Sequence, residues 1–201
     1  MASTARTKNG TVLGKSVSFV LPTPVSPLAS SLVRFALRLL KRDRDTQTAR
    51  DLSFISFLHW AVLKRRDFEP ASTEPDRKNE LKHDYNLFLS TFDGPWEPYV
   101  DAFADVLGHA IDFVWAFSIG YPGSKPDSKF RHYIFLNQLD ADHHYSAYPV
   151  ASVRDVRRAV HLNEQLNRFA ETSMDLEPEQ FAQEFRRLLI RVQNDLGSIG
   201  P

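Results

Sequence analysis

The chain has 201 residues, with 25 Lys and Arg balancing 25 Asp and Glu, and a formal net charge of zero argues against general electrostatic capture of nucleic acid. It has no cysteine, which excludes disulfides, thiolate catalysis, iron–sulfur clusters and Cys-based zinc sites. Hydrophobic residues at 42% and charged residues at 25% make a globular mixture, and 15 Phe against 2 Met predict a core of rigid rings. The opening MASTARTKNGTVLGKS has no apolar stretch of signal-peptide type, and no run approaches the roughly 18 apolar residues of a membrane span. A soluble, cytoplasmic protein with no membrane partner is the expectation.

In chain order, residues 1–14 are small and polar and predict a flexible N-terminus. KSVSFVLPTPV alternates apolar and polar positions as a first strand, which Pro22, Pro24 and Pro27 are expected to stop. From Pro27 to Lys41, Leu28, Leu32, Phe35, Ala36 and Leu39 recur at helical spacing. SFISFLHWAVLKRR reads as a second strand, so continuously apolar that both faces are expected to be covered. The polar, proline-bearing stretch 67–82 predicts a disordered loop. YNLFLSTFDG is a third strand closed by Asp93-Gly94-Pro95, and a helix follows with Trp96, Tyr99, Phe103, Leu107, Ile111 and Val114 on its apolar face. FRHYIFLNQLDADHHYSAYP reads as a long fourth strand. Ser152 then caps a helix, and a last helix opens at Pro178.

The order β-α-β-β-α-β predicts an α+β, ferredoxin-like antiparallel sheet over 15–170, with a C-terminal helical extension over 171–201. Its open face needs covering, by the C-terminal helices or by a second subunit. Two such sheets closing face to face enclose a cavity for a small hydrophobic molecule.

The stretch LDADHHYSAYP carries the densest chemistry. On an extended strand Asp140, Asp142 and His144 share one face, an oxygen-and-nitrogen ligand set for a divalent cation; a solvated strand end is the other reading. His59 lies inside an apolar strand, sharing a face with Phe57 and opposite Trp60. It can serve as acid, base or iron ligand, or pack as a core or interface histidine. His132 carries the same two readings. With His143, Tyr145 and Tyr148 these residues form the candidate ligand pocket, His59 being the candidate catalytic group. Asp93 is expected to cap its turn or the following helix.

NLFLSTFDGPWEPYVDAF, SFLHWAVL and HHYSAYPVASVRDV together resemble a loosely characterised family of ferredoxin-like, dimeric α+β barrel proteins. That family is marked by an FDG turn followed by an aromatic residue and is sometimes labelled peroxidase-related. The resemblance spans roughly 15–170. It implies a homodimer and raises haem as a cofactor. The positions where the signature carries His and Arg hold Ser56 and His59 in this chain. The functional expectation is a small-molecule-handling protein with an aromatic pocket on the sheet face, acid–base or oxidative in chemistry. The alternative is a non-catalytic assembly or partner-binding protein whose sheet face is an oligomer interface.

Overall fold

The computed structural model describes residues 11–42, 52–67 and 81–196; most of the loop expected over 67–82, and the first ten residues of the expected flexible N-terminus, lie outside them. The elements are β1 (Thr11–Leu13), β2 (Ser16–Val25), α1 (Ser30–Arg42), β3 (Ile55–Leu63), a short 3-10 turn (Arg65–Asp67), β4 (Asp84–Asp93), α2 (Trp96–Trp115), α3 (Asp127–Asn137), α4 (Val153–Ser173) and α5 (Pro178–Val192). The protein is mixed α+β. Its four-stranded antiparallel sheet has the order β1-β2-β4-β3. Two compact units divide the chain, Met1–Ser146 and Ala147–Pro201. The expected boundary between 170 and 171 therefore falls inside α4.

In the first unit, strand alternation sends Phe19, Leu21, Phe88 and Phe92 to one face of the sheet. There they meet Tyr99, Phe103, Ile111 and Trp115 from α2 and Phe130, Tyr133 and Ile134 from α3. A second cluster joins Val25 and Val62 to Val33 and Ala36 of α1 and to Val114 of α2. Phe88 is fully buried, with ring centroids 5.2–5.9 Å from Trp60, Phe103, Trp115 and Phe19. Each such side chain contributes roughly 1.5–3 kcal/mol on leaving water, and ring pairs add about 0.5–1.5 kcal/mol.

Two expectations about strands are corrected. Pro22 and Pro24 do not stop β2 but lie within it. Their positions explain why. The carbonyls of Val20 and Pro24 accept from the amides of Leu139 and Ile119, not from β4, so the even-numbered peptide groups of β2 point to its other edge. A proline there removes no hydrogen bond from the β2–β4 ladder.

The same prolines account for the second correction. The segment 130–149 is not a strand: α3 takes its first part, and only Leu139 pairs with β2, in an isolated bridge to Val20. An edge without amide donors at 22 and 24 cannot sustain a full fourth ladder. Phe130, Tyr133 and Ile134, at helical spacing, instead turn one face of α3 into the core. At the start of the chain, Thr11–Leu13 is ordered as a short strand against β2, where 1–14 had been expected to be flexible.

The second unit is a helix pair. Ser152 caps α4 as expected: its hydroxyl accepts from the Asp155 amide at 3.2 Å, and the Asp155 carboxylate accepts from the Ser152 amide at 2.9 Å. α5 runs antiparallel to α4, since His161 meets Asp195 at 2.7 Å, Arg191 donates to Gln165 at 3.3 Å, and the Phe169 ring lies 5.3 and 5.8 Å from Phe181 and Phe185. Among the described residues of this unit, Leu188 and Val192 are the buried apolar ones. Fixing one residue's backbone costs roughly 1–2 kcal/mol, so two such side chains leave a 55-residue unit without an adequate core of its own.

Candidate functional site

β3 is an edge strand whose two faces differ sharply. Leu58, Trp60 and Val62 turn to the core; Phe57, His59 and Ala61 are exposed, Phe57 at 49%. Within one chain, the covered face of this strand is the one that carries Leu58, Trp60 and Val62. Antiparallel register continues the other face into the rows Phe57–Thr91–Ser18, His59–Leu89–Val20, Ala61–Leu87–Pro22 and Leu63–Tyr85–Pro24, whose β2 and β4 members are half-buried. The last two rows are apolar but for the Tyr85 phenol. His59 is the one titratable side chain besides Tyr85 in these rows, and its ring lies 4.0 Å from that of Phe57. All three helices of this unit take their buried contacts from the opposite side of the sheet.

The candidate pocket residues are not gathered around His59. Trp60 belongs to the core, its indole N–H donating to Asn86 Oδ1 at 2.6 Å and its ring 4.6 Å from Trp115. His132 is exposed on α3, and His143 is exposed in the irregular stretch after it. Tyr145 and Tyr148 are 77% and 74% exposed. Asp140, Asp142 and His144 share no strand face, because no strand forms there. His144 is instead paired through Nε2 with Ser16 Oγ at 3.0 Å. Among the described residues, no group of three or more His, Asp or Glu side chains converges on a cation position.

The polar chemistry that sequence reading missed lies inside. Thr23, Asn86 and Ser118 are buried on the core side of the sheet. Thr23 Oγ1 accepts from the Trp115 indole at 3.2 Å and lies 3.1 Å from Ser118 Oγ and 3.2 Å from the Asn86 carbonyl. Nearby, burial pushes the Tyr133 phenol up to about 12, partly offset by the Thr23 and Ser118 hydroxyls. Burial likewise holds the Tyr99 phenol protonated far above its ordinary range, against a smaller opposing effect of Ser90. The signal was present in the alternation of β4, which places Asn86 and Ser90 on the same face as Phe88 and Phe92.

A second polar knot secures the turn after α2. The Asp112 carboxylate accepts from Tyr121 Oη at 2.7 Å and from the amide and hydroxyl of Ser124 at 2.6 and 2.9 Å. Burial alone would raise its pKa, but these bonds and the nearby His109 outweigh burial and hold the carboxyl below its usual range. At the start of α2, by contrast, the N-cap position is Pro95, which has no side-chain cap to offer. Among the described residues no helix is long and apolar enough to cross a membrane. No protein-family model, curated protein or solved structure matches the chain.

Proposed function

We propose that the first unit is a non-catalytic association module that docks the outer face of its sheet on a second copy of the chain. In this reading the unit is ferredoxin-like, with its last strand reduced to the bridge at Leu139. The observation that carries it is the composition of the outer rows. Val20, Pro22, Pro24, Leu87, Leu89, Ala61 and Leu63 form a broad apolar surface, with Phe57 half-exposed at its margin. A flat, contiguous apolar surface suits a macromolecular partner, whereas small ligands take concave sites. The dispersal of His132, His143, Tyr145 and Tyr148 supports association over acid–base catalysis, because such chemistry needs its groups within hydrogen-bond reach of one substrate.

The Phe57–His59 stack supports a second reading. Two sheet faces closing on each other would trap a small hydrophobic molecule beside these rings, with His59 as its polar contact and candidate acid–base group.

Native mass spectrometry of the purified chain and of Phe57→Asp separates the two. The association reading expects a dimer of bare chain mass that weakens at least about tenfold in the variant, as burying an unpaired carboxylate demands. Extra mass that disappears in His59→Ala favours the enclosed ligand. Indifference of the assembly to Phe57→Asp removes the sheet face from consideration.

A further inference from the structure

The helix pair of the second unit presents an apolar face that its own two helices do not fill. Leu166 on α4 and Phe181, Phe185 and Leu189 on α5 remain between 40% and 44% exposed. At about 100° per residue, Leu166 and Leu189 each lie just off the α4–α5 contact, to the same side of an antiparallel pair. The stacked rings of Phe181 and Phe185 continue that surface across to Phe169. The result is one surface spanning both helices, with the polar network of His161, Gln165, Arg191 and Asp195 inside the hairpin at its open end.

Charge identifies what covers this surface. The turn end carries Glu171, Asp175, Glu177 and Glu179, and no Lys or Arg occurs between 169 and 184. The open end and the last half of α5 carry Arg154, Arg157, Arg158, Arg186, Arg187 and Arg191 against Asp155 and Asp195, a net positive end. A reversed copy of the same hairpin matches acid to base at both ends at once, as a two-fold interface requires. A parallel copy sets acid against acid.

We propose that two copies of the chain pair through this face, antiparallel, as a four-helix arrangement of two hairpins. Glu179 and Arg186 are exposed about two helical turns apart on the rim of the α5 stripe. When two α5 helices run antiparallel and cross near Ala182, each Glu179 meets the other copy's Arg186. Aromatic and leucine side chains of both copies fill the seam between them, which gives the second unit the core that one copy lacks. The inference stands apart from the sheet-face reading, since it uses no residue of the first unit.

The test is sedimentation equilibrium and native mass spectrometry on the full chain in a Phe57→Asp background, where sheet-face contact is weakened. That background protein is expected to be a dimer. Glu179→Arg alone and Arg186→Glu alone each place like charges opposite one another twice by symmetry, and each weakens self-association about tenfold. An equimolar mixture of the two restores pairing as a heterodimer, and the double variant restores the homodimer. Phe185→Asp abolishes pairing, with far-ultraviolet circular dichroism reporting whether the helices persist. A monomeric background protein overturns the proposal, and so does a dimer whose strength is unmoved by either charge variant or not recovered on mixing.

Discussion

The two units solve the problem of burial in opposite ways. The first surrounds Phe88 and Trp115 with rings from three strands and two helices and leaves almost no accessible surface on either. The second commits thirty-six helical residues to a pair of antiparallel rods, 21 in α4 and 15 in α5, and buries Leu188, Val192, Gln165 and Ser173. Its capping box and the His161–Asp195 and Arg191–Gln165 contacts specify local structure closely, yet local structure without a shared core is marginal in water. What the difference teaches is that good helix signals mark where a helix forms, while the count of buried side chains marks what sustains it.

The contrast can be broken experimentally because all three tryptophans, Trp60, Trp96 and Trp115, lie in the first unit. Their fluorescence reports that unit alone, and far-ultraviolet circular dichroism reports both. The largest effect is expected from Phe88→Ala, at about 3–5 kcal/mol from the lost transfer energy and the cavity left among four rings. Urea unfolding should show it in the tryptophan signal; a loss below about 1 kcal/mol would mean that the ring cluster is not the core it resembles.

Asp112→Asn comes next, at about 1–2 kcal/mol, since the amide accepts fewer and weaker bonds from Tyr121 and Ser124. Its effect carries a pH signature. The native carboxyl titrates below its ordinary value of 3.8, so its stabilisation is complete above that pH and is lost as pH falls through the native pKa. Wild type and variant should therefore begin to converge as pH falls below 3.8 and meet only below the native pKa, and a difference that persists there points to packing instead.

The smallest effect belongs to Ser152→Ala, about 1 kcal/mol from loss of the α4 cap. It should reduce helical signal in dilute protein while leaving the tryptophan transition unmoved. A shift in that transition would join the units into one cooperative system and dissolve the contrast.

Much of this was legible in the sequence because the relevant forces are local. The periodicity of Trp96–Trp115, the turn at Asp93-Gly94-Pro95 and the cap at Ser152 all act within a few residues, and each stands where spacing placed it. The failures came where a distant edge decided. FRHYIFLNQ fits both a strand and a helix, and the choice was made by Pro22 and Pro24, more than a hundred residues earlier. The candidate cation set went with it, since Asp140, Asp142 and His144 shared a face only on a strand that does not form. The outer sheet face survives in part: alternation correctly set Phe57 and His59 opposite Trp60. Continuous apolarity, however, could not reveal that β3 lies at the margin of the sheet.

The prolines have one more consequence, for polymerisation. Among the described residues β2 is occupied at its start by β1 and touched by Leu139, and it lacks donors at 22 and 24 along its remaining edge. Among the described residues only β3, from Ile55 to Leu63, keeps a long unpaired edge. In the language of polymer chemistry the sheet is a monofunctional monomer. Joined edge to edge it stops at two, because neither partner has a second long edge with which to propagate a fibril.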